Sequence, residues 1–249
     1  MTLDGKAAAI TGAGSGMGRA TAELFAERGA HVVAVDLDSE AAAETVDRIE
    51  SAGSEATAVE ADASVAADVR KFVERTVEAY GSIDVLHNNA GIPQRSTPVE
   101  DVTEETWDAI IDVNLKSAFL GAKYAVPRMR EQGGGVILNT ASTAGIRPRT
   151  GLSAYCASKG GMITLPKQLA YELADAGIRV NAICPVATDT DMLPEFTSDD
   201  LSIEDMADTI PVGRLARSKD IAHAAAYLAS DEAEMVTGTA LEVDGGRDI

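Results

Sequence analysis

The chain predicts an α/β fold, a parallel sheet of about seven strands with helices on both faces. Two observations carry that prediction. Short apolar runs alternate with amphipathic stretches of helical period along the 249 residues. The first such run enters a glycine cluster that opens a helix.

Residues 6–11 read as a buried strand. Gly12-Ala13-Gly14-Ser15-Gly16-Met17-Gly18 follows, then an amphipathic helix over about 17–28 with Gly29 as its stop. His31–Asp36 is a second buried strand. Strand, glycine turn, helix, strand and acid make the first unit of a dinucleotide-binding fold. Glycines let backbone approach a pyrophosphate, and the helix N-terminus offers free N–H groups and a positive dipole end. The spacing, Gly12-x3-Gly16-x-Gly18, departs from the more common G-x-G-x-x-G. Asp36 closes the unit. Its carboxylate can accept bonds from adenosine ribose hydroxyls and would repel a 2′-phosphate; no arginine follows it, only Leu37 and Asp38. NAD is therefore expected in preference to NADP.

The alternation continues with a helix over 38–52, a strand over 55–60, a helix Ala66–Tyr80 and a strand over 83–87. Asp62, between Ala61 and Ala63, lies past the third strand. It is placed either to bond an adenine amine or to cap a turn. Asn88-Asn89-Ala90-Gly91 suits a tight turn against a ligand or a plain Asn-rich turn. Gln94, Arg95 and Ser96 follow in a loop expected over the pocket. Thr103-Glu104-Glu105-Thr106-Trp107 has the form of a capped helix start, with Trp107 read as packing. Asn114 sits in an apolar helical stretch, where a buried amide needs partners; the functional reading is a backbone kink holding a water. The helix runs on over 115–129 until Gly133-Gly134-Gly135, and a fifth strand, 136–140, delivers Ser142 to the same rim as the glycine turn.

Ser153-Ala154-Tyr155-Cys156-Ala157-Ser158-Lys159 starts the next helix. Tyr155 and Lys159 are four apart, so they share a face. A phenol titrates near ~10. An ammonium beside it favours the phenolate and lowers that value; the turn reads either as a site that exchanges a proton with an alcohol or carbonyl, or as a surface Tyr and Lys on an ordinary helix. A strand over 178–184, an irregular stretch with a short helix at Ile203–Asp208, a helix over 218–230 and a strand Ala240–Val243 complete the pattern.

Composition narrows the partners. There are 21 basic and 40 acidic residues, for a net charge of −19. Nucleic acid and anionic membrane are unfavourable partners for such a chain, and no apolar run is long enough to span a bilayer. The carboxylates dot the helices, a surface suited to high salt; a halophilic source is expected, with an acidic mesophile as the alternative. Two cysteines make no disulfide framework, and three scattered histidines have no ligand spacing, so no metal is expected. The first residues lack a basic-then-apolar leader, and a cytoplasmic location is expected.

Taken together, Thr11-Gly12-x3-Gly16-x-Gly18, Asp62, Asn88-Asn89-Ala90-Gly91, Asn114, Ser142 and Tyr155-x3-Lys159 resemble the classical short-chain dehydrogenases/reductases, over the whole chain. The resemblance implies one doubly wound, Rossmann-like domain spanning 1–249, with a substrate lid at about 189–213. It implies hydride transfer between NAD and a secondary alcohol or ketone, with Asn114, Ser142, Tyr155 and Lys159 as catalytic residues. Ser142 would fix the substrate oxygen, Tyr155 would carry its proton, Lys159 would reach the nicotinamide ribose and lower the phenol's pKa, and Asn114 would hold a water. The implied cofactor contacts are Gly12, Ser15, Gly16, Met17, Gly18, Asp36, Leu37, Asp62, Ala63, Asn89, Ala90, Gly91, Tyr155, Lys159, Pro185, Thr188 and Thr190. Members usually carry Pro-Gly where this chain has Pro185-Val186.

A homotetramer is also implied, with Met129, Met162 and Leu169 in its interfaces. Arg95, Arg147 and Arg149 near the rim point to an anionic or polyhydroxylated small-molecule substrate such as a sugar acid, against simple charge balancing. A 3-oxoacyl-carrier reductase is the enzymatic rival, although it would normally prefer NADPH. A non-catalytic NAD-binding regulator is the rival of another class, and it would not need all four catalytic residues.

Overall fold

A computed structural model describes residues 1–197 and 202–248. In chain order its elements are β1 (Ala7–Thr11), α1 (Gly16–Glu27), β2 (His31–Asp36), α2 (Ser39–Ser51), β3 (Ala56–Glu60), α3 (Ala66–Tyr80) and β4 (Val85–Asn88). Then come α4 (Glu104–Ile111), α5 (Ser117–Gln132), β5 (Gly135–Thr140), α6 (Ser153–Leu173), β6 (Ile178–Pro185) and β7 (Thr188–Asp189). The last are α7 (Ile203–Asp208), β8 (Ala216–Arg217), α8 (Ser218–Ala229) and β9 (Ala240–Val243).

Seven strands form one parallel sheet in the order β3-β2-β1-β4-β5-β6-β9. Strand order reverses between β1 and β4. That is the switch point beyond whose carboxyl edge ligands bind in such sheets. Alternation along each strand feeds two cores. Ala8, Ile10, Val32 and Ala34 pack with Phe25 of α1 and Ile221 and Ala225 of α8. Ala9, Val33 and Val35 pack on the other face with Phe72 of α3, Leu120 of α5 and Leu173 of α6. This is the single-domain, doubly wound α/β fold that the alternation predicts.

Two packing expectations are corrected. Met129 and Met162 are 0% and 1% exposed, so these two are interior residues of the subunit, whereas Leu169 is partly buried against the second core. Trp107 in turn is 42% exposed, so its ring is only partly packed.

The stretch expected to act as a lid begins with β7, which pairs with β8 in a separate two-stranded ribbon. A 3₁₀ turn, Leu193–Phe196, and α7 lie between them. Residues 198–201 of that stretch lie outside the described residues.

Candidate active site

The carboxyl edge of the sheet is tied together by side chains. Thr11 Oγ1 accepts from the backbone N–H groups of Asn89 and Ala90, each at 3.0 Å. Asn89 Nδ2 donates to the Thr11 carbonyl at 3.1 Å, and its Oδ1 accepts from Thr140 Oγ1 at 3.0 Å. The ends of β1, β4 and β5 are thereby locked. Gly12, at φ +66°, lies against Ala90, where a Cβ would come within 3.0 Å of the Ala90 Cα. A Cβ at Gly18 would overlap the Gly12 carbonyl. These two positions demand glycine, one for its backbone angle and both for close approach.

The turn leaves the N-terminus of α1 open, for Ser15 at its N-cap makes no side-chain cap bond. Unsatisfied N–H groups at a helix start are suited to a pyrophosphate. Gly16 faces Thr190 across this site, with its virtual Cβ 3.3 Å from Thr190 Cγ2. Asp36 accepts from the N–H groups of Gly14 at 2.8 Å and Asp38 at 3.0 Å, which fixes the carboxylate at the strand end. Leu37 beside it is 70% exposed. Asp62 Oδ1 caps Ser64, accepting from its N–H at 2.8 Å and its hydroxyl at 2.7 Å. Ala63 lies half-buried in that turn. Met17, Asn89, Gly91, Pro185, Thr188 and Thr190 line a cleft of about 510 Å³ together with Ser142, Tyr155 and Lys159. The glycine cradle, the open helix start and the fixed carboxylate fit a dinucleotide. Val186 stands where glycine was expected; it is buried and forms part of the cleft wall.

Tyr155 and Lys159 both reach the cleft from α6. Lys159 Nζ donates to the Thr140 carbonyl at 2.8 Å and lies 5.7 Å from the centroid of the Tyr155 ring. The edge of Phe196 meets that ring at 5.1 Å. Ser142 sits at the end of β5, its Oγ accepting from the Ala144 N–H at 3.1 Å. Asn114 occupies a π-helical turn, Asp112–Lys116, between α4 and α5, so the expected kink is present. Its amide holds backbone at residue 92 and also donates to the Ser158 hydroxyl at 3.4 Å. Oδ1 accepts from the Ile92 N–H at 2.7 Å, and Nδ2 donates to the Ile92 carbonyl at 3.0 Å. A Cβ at Gly91 would lie 3.3 Å from Asn114 Oδ1 and 3.5 Å from Lys159 Nζ, so these two groups converge on one bare backbone position.

Burial dominates the ionisation here. It pushes the Tyr155 hydroxyl up to about 12, against a hydrogen bond from Ser142 that lowers it, with Cys156 adding to the rise. It pushes Lys159 down to about 8, with Cys184 acting the other way. The expectation that Lys159 by itself draws the phenol down is thus corrected. Its ammonium, 5.7 Å from the ring centroid, is bonded to a carbonyl, and desolvation sets the direction of the phenol's shift.

The three rim arginines divide. Arg95 is 81% exposed and pairs with Glu195 at 2.9 Å, away from the cleft. Arg147 is turned to the C-terminal segment, donating to the carbonyls of Arg247 at 3.3 Å and Asp248 at 2.7 Å. Arg149 lines the cleft.

Gln94, expected only as part of a loop over the pocket, has a further role, and His87 and Arg247 are absent from the sequence analysis of the site. Gln94, 2% exposed, accepts from the Tyr155 N–H at 2.9 Å. His87, fully buried, meets Thr140 Oγ1 at 2.9 Å. Arg247 lines the cleft from just past β9. The first two are linked to their partners across 61 and 53 residues, and no local pattern announces such contacts.

Comparison with known proteins agrees with this geometry. The family described as Enoyl-(Acyl carrier protein) reductase matches residues 12–248. A 4-formylbenzenesulfonate dehydrogenase of Comamonas testosteroni is 40% identical, covering 100% of both chains. A cyclohexanol dehydrogenase of an Acinetobacter strain is 40% identical over 98% of this chain and 95% of its own. The crystal structure of a 3-ketoacyl-(acyl-carrier-protein) reductase from Brucella melitensis, complexed with NADH, superposes with a TM-score of 0.94 at 44% identity, covering 100% of both chains. With motifs, sheet order and relatives in agreement across its length, the chain belongs to the classical short-chain dehydrogenase/reductase family.

Proposed function

We propose that this protein is an NAD(H)-dependent oxidoreductase that interconverts a secondary alcohol and a ketone, with Asn114, Ser142, Tyr155 and Lys159 as its catalytic set. The observation that carries the reading is that Ser142, Tyr155 and Lys159 line one cleft with the glycine-turn residue Met17 and the opposing Thr190. A bound nicotinamide supplies or accepts the hydride and, when oxidised, adds a positive charge beside the phenol. The protein groups do the remainder. Ser142 donates to the substrate oxygen and holds its carbon in reach. Tyr155 gives its hydroxyl proton to that oxygen in reduction and takes it back in oxidation. Lys159 keeps a positive charge beneath the ring. Asn114 clamps residue 92, and with it the floor formed by Gly91, against α6.

Asp36 supports NAD over NADP, because a fixed carboxylate at the strand end disfavours a 2′-phosphate. A hydroxylated or carboxylate-bearing, sugar-acid-like substrate is the reading that Arg149, the one of the three rim arginines lining the cleft, supports, and residues 189–213 are its lid within a single domain. A homotetramer in the cytoplasm, with a surface adapted to salt, completes the proposal. Phe119 of α5 and Tyr171 of α6, 51% and 88% exposed, support contacts through those helices.

The second reading, a 3-oxoacyl-carrier reductase, is favoured by the NADH-bound relative at 44% identity, which shows that such a reductase can take NADH. Initial rates with secondary alcohols, ketones and a 3-oxoacyl thioester, each with both dinucleotides, separate the two. Tyr155→Phe is expected to lower kcat at least ~10²-fold with little change in dinucleotide affinity, the scale of a lost acid–base group. Near-full turnover in that variant, or better turnover with NADP(H), would reject the assignment concerned. A protein that binds NAD(H) and turns over nothing in the panel would point to a regulator.

A further inference from the structure

In a chain with 40 acidic and 21 basic residues, the cleft is lined, among the described residues, by three charged side chains, and all are cationic: Lys159, Arg149 and Arg247. Lys159 belongs to the reacting end and is bonded to Thr140. The two arginines line the same cleft. The C-terminal segment is fastened there, which holds Arg247 in place. Arg147 grips the carbonyls of residues 247 and 248. The Asp248 carboxylate, 1% exposed, lies 3.7 Å from both Arg147 Nε and Arg149 Nη2. Asp244 accepts from the N–H groups of Gly246 at 2.9 Å and Asp248 at 2.8 Å. Among the described residues Arg149 Nη2 is buried and makes no hydrogen bond. Arg247 carries a further mark of crowding: burial first, then the field of Arg149, lowers its pKa.

The lining is mixed but mainly apolar: Ser96, Thr143, Thr150 and Thr190 contribute hydroxyls, and Leu152, Val186, Met192, Leu193, Phe196 and Met206 form the bulky apolar part. Sugar hydroxyls that faced this apolar part would lack partners there, at a cost. An apolar body would not.

Resting on the oxidoreductase reading, we infer that the substrate is an amphiphilic anion, an apolar ring or chain bearing one carboxylate or sulfonate, and that Arg149 and Arg247 bind that group while its carbonyl or carbinol carbon lies against Tyr155. Guanidinium forks match planar oxyanions bidentately. Arg247 is then a specificity residue delivered by the C-terminal segment, and the apolar part of the lining narrows the substrate class from sugar acids to acids with an apolar frame.

The test compares kcat/KM with NADH for two matched pairs: 4-acetylbenzoate against 4-methylacetophenone, and 4-oxocyclohexanecarboxylate against 4-methylcyclohexanone. The native protein is expected to prefer the acids by at least ~10-fold, the scale of one charged hydrogen bond. Arg247→Gln should collapse that ratio. Arg247→Lys, which keeps the charge without the fork, should retain part of it, and it serves if the glutamine variant does not fold. Equal turnover of acid and neutral partner, or an unchanged ratio in the Arg247 variants, overturns the inference and leaves the oxidoreductase reading standing. If neither member of either pair is turned over, calorimetric titration of 4-acetylbenzoate into the NADH complex decides. Binding that weakens in the Arg247 variants keeps the anion site and drops the oxidoreductase reading; no binding removes the site.

Discussion

Tyr155 and Lys159 respond to the same burial in opposite senses. The phenol rises to about 12 and the ammonium falls to about 8, because in each case desolvation penalises the charged form. Without a bound dinucleotide the cleft at neutral pH therefore holds a neutral phenol beside a charged lysine, a state ready to donate a proton. His87 below them shows the same effect more simply. Thr140 Oγ1 has one hydrogen and gives it to Asn89 Oδ1, so His87 Nε2 must carry the proton that Thr140 accepts. The ring is neutral, its ionisation pushed down to about 4 by burial. An unfolded histidine takes its proton near ~6.5. Between those values the unfolded chain binds more protons, so His87's contribution to stability is intact above about pH 6.5 and is lost as pH falls through about 4. The loss is on the order of 3 kcal/mol. His87→Gln keeps a side-chain N–H for Thr140 and removes the titration. Urea midpoints for the variant should fall less than those of the native chain between pH 7 and pH 4.5. Parallel losses would show that His87 is not the group that titrates.

At the scale of elements, α6 is the helix whose first turn must be held still. Its N-cap residue, Leu152, offers no side-chain cap. Gln94 supplies the missing acceptor from the loop after β4, binding the Tyr155 N–H. Gln94→Leu would leave that buried N–H without a partner and should lower the unfolding free energy by about 1–3 kcal/mol. Gln94→Glu, which keeps an acceptor oxygen, should recover part of the loss. Equal stability of native and leucine forms in urea would assign the cap to some other group. Such contacts mark the limit of reading elements from a sequence. The alternation of apolar runs and helical stretches locates the strands and helices of the sheet, because period and glycine punctuation are local. The π turn is foreshadowed by Asn114, an amide out of place on an apolar helix. Met129 and Met162 are misplaced as interface residues because periodicity shows which face is apolar but not what covers it. Gln94, His87 and Arg247 act on groups far along the chain, and only the fold brings them there. The sign of the Tyr155 shift also needs three dimensions, since a four-residue spacing fixes proximity but not desolvation.

For the whole molecule the dominant quantity is a net charge of −19. Few of the carboxylates are buried. The ion pairs are mostly exposed, such as Arg48 with Glu44 and Arg75 with Glu78, and pairs of that kind contribute little each. Attraction between neighbours therefore does not offset the repulsion of the excess acids. That repulsion depends on screening: the Debye length falls from about 10 Å at 0.1 M salt to about 3 Å at 1 M. Raising the salt should relieve repulsion in the compact state more than in the expanded chain, where the same charges lie farther apart. The melting midpoint in 2 M KCl should exceed that in 0.05 M KCl by several degrees. Potassium chloride is the suitable salt because sulfate would also strengthen apolar burial. A charge-neutralised control, with Glu40, Glu50 and Asp47 of α2 changed to glutamine or asparagine, should start higher in low salt and gain less on salt addition. All three lie on exposed or half-exposed positions of that helix. Equal midpoints for the native chain in the two salts would mean that its acidic surface is already balanced at low ionic strength and would remove the case for a halophilic adaptation.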